Sequence, residues 1–504
     1  MITQKHELYG VEKHMSAIIV ENLTFSYPGS YDNIFENTSF QLDTSWKLGL
    51  VGRNGRGKTT LCKLLMNQYE YTGKIICNEK FVYFPCKIEN KERMTIEILQ
   101  EVCPSAEDWE FMKEMSSVDL DIEILYKPFD ILSNGEQTKI LLVALFMNDH
   151  QFLLIDEPTN HLDVESRELV SKYLKSKKGY ILISHDRMFL DECIDHILTI
   201  NKSSIEVYHC DFSTWLENFE NQQKSEMLQN IRINKDIKKL QEAARKNAEW
   251  SNKSEKAKKG AKDKGFVSHK ATKLMQKSKN LETRQNRSIE EKSKLLKNYE
   301  YDQDLKIYPL EYHSELLVEY KDVSMIYDDN LINSPVSFSL KKGDRVVLNG
   351  KNGSGKSSLI KALVNGNIQH RGDIFIASNL IISYIPQDTS FLTGSLTDYA
   401  VSKKIDESLF KAILQKMGFT KIHFERNIEE YSEGQKKKVL VAGSLCEKAH
   451  IYVWDEPLNY IDMFSRIQIE RLINTYQPTM IFIEHDRLFQ NTVSTKTITA
   501  HKWF

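Results

Sequence analysis

Two stretches of this 504-residue chain carry the residue types needed to hold a polyphosphate. GRNGRGKT runs from Gly52 to Thr59 and is followed by Thr60; GKNGSGKS runs from Gly350 to Ser357 and is followed by Ser358. In each loop the glycines (Gly52, Gly55 and Gly57; Gly350, Gly353 and Gly355) let successive backbone N–H groups turn inward around Asn54 or Asn352. Lys58 or Lys356 then adds the positive charge that β- and γ-phosphates need. Thr59 and Ser357 supply the hydroxyl that such loops give to magnesium. Further along lie two Asp-Glu-Pro triplets at the ends of apolar runs. Asp156 and Asp455 are placed to hold a magnesium shell, while Glu157 and Glu456 are placed to orient or deprotonate an attacking water. His185 and His485, each in a His-Asp-Arg triplet, are the expected contacts to a γ-phosphate. This is the chemistry of ATP hydrolysis with Mg2+. A lone Asp-Glu-Pro or a lone His is more often a capping or surface residue, so the weight falls on the ordered set.

The elements that position these groups repeat. Lys58 and Lys356 are 298 residues apart, Gly135 and Gly434 299, Asp156 and Asp455 299, and His185 and His485 300. Four elements in one order at one offset mean a duplicated domain. Strand-like apolar runs (FLLID at 152–156, YILIS at 180–184) alternate with helical segments, so each copy is expected to be a doubly wound α/β nucleotide domain. Between the copies no proline occurs from Pro158 to Pro309, and Ile233, Ile237, Leu240 and Ala244 follow a helical spacing. The only glycines in 221–300, Gly260 and Gly265, mark a turn between two long helices of some 35–40 residues, each reaching about 50 Å. The expected divisions are 1–212, 213–300 and 301–504.

Composition narrows the classes. No run of 18 apolar residues exists and residues 1–14 lack the apolar core of a signal peptide, which points to a cytoplasmic protein. Met15 opens a second possible start and leaves 1–14 as a polar extension. Seven scattered cysteines without CxxC spacing suggest neither a disulfide framework nor a zinc site. The chain has net charge −2, yet residues 221–300 hold 22 Lys plus Arg against 10 Asp plus Glu, a net of +12. A charge run is most often a solvated helix face, but a basic hairpin on an acidic body is also an electrostatic footprint for nucleic acid. At its centre, Trp250, Lys258, Lys259, Lys262, Lys264, Phe266 and His269 combine charge with planar faces for bases.

The serine-glycine turns LSNGEQ (Ser133, Asn134, Gly135) and YSEGQK (Ser432, Glu433, Gly434) open helical patterns whose N-termini could bind a γ-phosphate, and none is left for them within their own repeat. This arrangement resembles the ATP-binding cassette superfamily, in which two such domains close head to tail. The resemblance implies that Lys58, Asp156, Glu157 and His185 share one site with Ser432, Glu433 and Gly434. The other site would join Lys356, Asp455, Glu456 and His485 to Ser133, Asn134 and Gly135. Adenine would stack on Tyr27 or Tyr31 in the first and on Tyr327 in the second, although isolated tyrosines are more often core. The chain departs from the superfamily at Glu433, where glycine is usual, and at Cys86, where the first repeat lacks the glutamine that Gln387 supplies in the second. Both glutamates being present, two competent sites are expected.

Two tandem ATP-binding cassette domains joined by a long antiparallel α-helical hairpin, without membrane spans, resemble the ABC-F family of ribosome-binding ATPases. WKLGLVGRNGRGKTT, FSYPGSYDNIFEN, AEWSNK and KGFVSHKATKLMQKSK are similar to the Lsa-type members. That resemblance implies protection of the bacterial 70S ribosome from lincosamides, streptogramin A and pleuromutilins. It implies a monomer that binds near the tRNA exit site, against ribosomal RNA and tRNA, when closed on ATP and leaves after hydrolysis. A housekeeping translation factor of the same fold and the ATPase subunit of a transporter are the alternatives.

Overall fold

The computed structural model describes residues 17–28, 33–148, 150–160, 162–201, 204–258, 284, 287, 305–327, 330–366 and 368–503. The chain divides into two compact units, one made of Met1–Ser213 with Gln303–Phe504 and the other of Thr214–Asp302.

The first unit contains two α/β repeats, each built on a parallel core sheet. In the first repeat the strand order is Lys80–Phe84, Gln151–Asp156, Tyr180–Ile183, Lys47–Val51, His196–Ile200, Ile205–Tyr208; only the last pair is antiparallel. In the second it is Ile382–Ile385, Ile451–Asp455, Met480–Ile483, Arg345–Asn349, Lys496–Thr499, all parallel. Central strands such as YILI, MIFI and IYVWD are buried at every position. Helices cover both faces of a parallel sheet, so alternation disappears and near-continuous apolar runs replace it. Beside each core lies a smaller antiparallel sheet, Phe35–Asp43 with Ala17–Phe25 and Thr72–Ile76 in the first repeat. Leu316–Tyr327 with Val336–Lys341 and His370–Ile376 form its counterpart.

This topology gathers the chemistry. The three central strands of each sheet are neighbours, and the phosphate loop, the Asp-Glu-Pro triplet and the His-Asp-Arg triplet all follow their carboxyl ends. Register places Asp156 opposite Ile183 and Asp455 opposite Ile483, so the same geometry is built twice. That crevice outside the carboxyl ends is where open α/β sheets bind ligands.

One helix, Phe212–Lys258, runs for 47 residues from the end of the first repeat into the second unit, longer than the 35–40 expected. Its start lies one residue before the expected boundary at 213. Phe212 is fully buried, and the backbone N–H of Ser213 donates to Asp191 Oδ1 at 2.7 Å, satisfying an N-terminal donor with a carboxylate. The helix therefore begins inside the first repeat. Along it Ile233, Ile237 and Leu240 are half-buried between exposed neighbours, the stripe that their spacing requires. Arg284 and Arg287 are also helical, whereas the turn expected at Gly260 and Gly265 lies outside the described residues. No helix among the described residues is long and apolar enough to cross a membrane.

Trp454, fully buried in a central strand with its Nε1 donating to Ser444 Oγ at 3.0 Å, ties the second sheet to the helix Glu433–Cys446. Trp454→Ala is expected to cost about 3–5 kcal/mol, checked as a fall in the urea midpoint of the second repeat.

Candidate ATP sites between the two repeats

Each phosphate loop leads into a helix, Lys58–Leu65 or Lys356–Asn365, through a glycine in the left-handed conformation, Gly57 at φ 91° and Gly355 at φ 81°. At Gly57 a Cβ would also come within 2.7 Å of Ile34, so glycine is required twice over. The lysines turn back over the loops. Lys58 Nζ donates to Gly52 O at 2.6 Å and to Asn54 Oδ1 at 3.2 Å, and Lys356 Nζ to Gly350 O at 2.7 Å. Burial lowers the pKa of both ammonium groups, and the Asp and Glu carboxylates nearby oppose it. Thr59 Oγ1 donates to Asp156 Oδ2 at 3.1 Å, and Ser357 Oγ to Asp455 Oδ1 at 3.3 Å. Thus the hydroxyl and carboxylate expected to share a cation are already adjacent in both repeats.

The glutamates follow with positive φ, 51° at Glu157 and 48° at Glu456, and their N–H groups donate to Ile183 O and Ile483 O. Each faces its histidine at 3.4 Å, His185 in the first repeat and His485 in the second. Here the repeats diverge. Gln387 Nε2 donates to Glu456 Oε2 at 2.8 Å and Asn459 Nδ2 to the same oxygen at 2.7 Å. Burial alone would raise the Glu456 pKa, but His485, the Gln387 amide and nearby Lys437 hold it below the ordinary value. Cys86 offers no amide, and Glu157 Oε1 is buried without a hydrogen-bond partner. Burial, reinforced by the charge of Asp156, pushes Glu157 up to about 8.

A cavity of about 720 Å3 joins the second phosphate loop (Asn352 to Ser358), Gln387, Glu456 and His485 to Ser133, Asn134 and Gly135 of the first repeat. The first loop and the second signature turn meet around one backbone group, Tyr460 O. Asn54 Nδ2 donates to it at 3.4 Å, and a Cβ on Gly434 would come within 2.5 Å of it. Ser133 and Ser432 each cap their own helix, accepting from Glu136 N and Gln435 N. Glu433 turns toward Thr389 and Lys436. Thr60 shares a 2.8 Å hydrogen bond with Tyr27, which stands edge-on to Phe25 and Tyr69; Tyr327 is 70% exposed. Tyr31 lies outside the described residues, as do Lys259, Lys262, Lys264, Phe266 and His269. Trp250 and Lys258 lie on the long helix.

The ABC transporter family model matches residues 35–160 and 333–459, half of the chain, and each match contains a phosphate loop and an Asp-Glu-Pro triplet. This chain belongs to the ABC transporter family. It is an ATPase with two ATP-binding cassettes. The chain is 25% identical to the ATP-binding protein Uup of Buchnera aphidicola subsp. Acyrthosiphon pisum (strain APS), over 96% of this chain and 80% of that protein. It is 24% identical to the ribosome protection protein VmlR of Bacillus subtilis (strain 168), over 96% and 87%. With ABC transporter F family member 2 of Arabidopsis thaliana it shares 23%, over 99% and 78%. Among solved structures, the archaeal ribosome recycling factor aABCE1, in complex with the ribosomal stalk protein aP1, shares the fold at TM-score 0.63 and 18% identity. That match covers 95% of this chain and 89% of the other.

Several residues that sequence reasoning passed over brace the cassettes, some within one repeat and some across the interface. Arg187 and Glu470 form an ion pair across the interface, each side chain only 8% exposed. Arg167 pairs with Asp186 at 2.8 Å and donates to His485 O of the other cassette at 3.1 Å; Arg466 pairs with Asp486 at 3.2 Å. Tyr83 donates to Asp156 Oδ2 at 2.6 Å. The signal for Arg167 and Arg466, and for Asn160 and Asn459, was the 299-residue offset, which they also obey.

Two outcomes follow from this geometry. Glu470→Ala leaves Arg187 buried and unpaired, which is expected to cost about 3–5 kcal/mol, while Arg187→Met with Glu470→Leu restores most of it; thermal melts of the parent and these two variants check this. In a chain whose second site is silenced by Glu456→Gln, Cys86→Gln supplies Glu157 with an amide donor. Turnover is expected to rise about tenfold, the kinetic equivalent of one hydrogen bond to a charged group, checked by phosphate release.

Proposed function

We propose that this chain is an ABC-F ATPase that binds the bacterial 70S ribosome near the tRNA exit site when closed on ATP, protects it from peptidyl-transferase antibiotics and leaves after hydrolysis. The observation that carries this reading is the 47-residue helix that leaves the first cassette and leads toward the most basic part of the chain. Ten lysines stand against Glu255 and Asp263 in 253–279, a charge balance suited to phosphate backbones and without use in an ATPase subunit docked on a membrane partner. Full-length similarity to a ribosome protection protein and to an ABC transporter F family member supports the same reading.

In this reading the first site uses Lys58, Asp156, Glu157 and His185 with Ser432, Glu433 and Gly434. The second uses Lys356, Asp455, Glu456, His485 and Gln387 with Ser133, Asn134 and Gly135. The loop amides and the lysine hold the β- and γ-phosphates, and the opposite signature serine closes over the γ-phosphate. Each glutamate accepts a proton from water aligned with that phosphate, and its histidine fixes the carboxylate. Tyr27 or Tyr31 and Tyr327 take the adenines. Magnesium fits Thr59 with Asp156 and Ser357 with Asp455. These are hard oxygen donors suited to a cation that keeps several waters, and Asp455 Oδ2 is buried without a partner. When bound it neutralises charge on the phosphates. Trp250, Lys258, Lys259, Lys262, Lys264, Phe266 and His269 are the residues that approach ribosomal RNA.

A drug-sensitive bacterium expressing the chain is expected to show at least fourfold higher inhibitory concentrations of lincomycin, tiamulin or virginiamycin M, lost in the Glu157→Gln, Glu456→Gln chain. Unchanged susceptibility while that double variant co-sediments with ribosomes would favour a housekeeping translation factor. Failure to co-sediment at all would remove the ribosome from the proposal.

A further inference from the structure

The segment that carries Gln387 is fastened to the helix that carries the signature serine of the same cassette. Thr389, 3% exposed, donates through Oγ1 to Glu433 Oε2 at 2.5 Å, in the range of a strong hydroxyl-to-carboxylate bond. One turn along the helix, Lys437 Nζ donates to Pro386 O at 3.1 Å. Between these two ties lies Gln387, whose amide holds Glu456 of the second site. Glu433 is the first residue of the helix Glu433–Cys446, and Ser432 is its N-cap. Two hydrogen bonds joined by the short backbone stretch from Gln387 to Thr389 thus connect Glu456 to Glu433 and the N-terminus bearing Ser432.

The first cassette cannot build this connection. Aligning YFPC with YIPQ, 301 residues apart, Cys86 stands for Gln387 and Ile88 for Thr389; at the 299-residue offset Asn134 stands for Glu433 and Thr138 for Lys437. A thiol and an alkyl group replace the amide and the hydroxyl. The glutamate that breaks the usual glycine pattern of the signature therefore has a partner that only this cassette supplies.

We propose that Thr389 and Glu433 are positioning residues that couple the two ATP sites, so that Gln387 seated on Glu456 at the second site holds Ser432 in place for the first. This rests on the reading that Ser432 serves the nucleotide on Lys58. Because coupling between binding sites is reciprocal, one physical link suffices for nucleotide at either site to favour nucleotide at the other. A link of this kind is typically worth about 5- to 150-fold in affinity.

The test uses the full chain and titrates it with a fluorescent, non-hydrolysable ATP analogue and magnesium, reading the two stepwise affinities. The parent is expected to bind cooperatively. Thr389→Val and Glu433→Ala should each reduce the ratio of the stepwise constants by at least about fivefold, the two together should reduce it no further, and Thr389→Ser should restore it. The Lys356→Ala chain, which isolates the first site, separates the two readings. If Ser432→Ala there leaves first-site affinity unchanged, the pairing of Ser432 with Lys58 falls. If Ser432→Ala weakens it but Thr389→Val leaves the parent's cooperativity intact, or the two substitutions add independently, the pairing stands and the coupling is overturned.

Discussion

Glu157 and Glu456 stand at positive φ immediately after a buried strand and immediately before a proline, and the other side chains of the candidate sites are arranged around them. A non-glycine residue in that conformation costs about 1–3 kcal/mol unless its surroundings over-determine it. Here they do. The strand behind each glutamate is held in register on both sides, its own N–H is bonded to the neighbouring strand, and the following proline removes the helical alternative. The left-handed turn swings the carboxylate away from the strand direction and toward the histidine on the adjacent strand's end.

From that shared constraint the two cassettes diverge through few residues. Glu456 is surrounded by donors, and Glu157 has a histidine and a buried oxygen without a partner. The replacement of one amide by Cys86 accounts for much of this. The interface is unequal as well. The helix Met463–Tyr476 of the second cassette is buried along its first eight residues, whereas Val164–Ser176 of the first has four buried positions in all. Asp462, held far below the usual carboxylate range despite its burial by the adjacent Lys438, contributes to the field around Lys58. The two sites share a plan and differ in their electrostatics.

Much of this was legible in the chain. The repeat offset gave the twofold plan, and Asp-Glu-Pro at the end of FLLID and YVWD located the crevice, because strands buried on both faces announce themselves as unbroken apolar runs. The spacing of Ile233, Ile237 and Leu240 foretold a helix with one half-buried face. What was not legible depends on contacts between residues hundreds of positions apart. Nothing local distinguishes Arg187, paired across the interface with Glu470, from Arg487, which meets Glu168 there instead. Tyr83 looked like one more strand residue, and only the pairing of its strand with Gln151–Asp156 aims its hydroxyl at Asp156. The first turn of the helix Phe212–Lys258 is held by a distant carboxylate, Asp191, a contact that no local spacing announces.

That same carboxylate joins the ATP machinery to the long helix. Arg187 and Asp191 are four residues apart on the short helix Arg187–Cys193, which directly follows His185 and its cap, Asp186. Residues at that spacing stand one above the other on a helix. The first makes the buried ion pair to Glu470 of the opposite cassette; the second receives the N–H and hydroxyl of Ser213 in the first turn of the long helix. Seven residues therefore touch the segment of His185, the partner cassette and the first turn of the long helix at once.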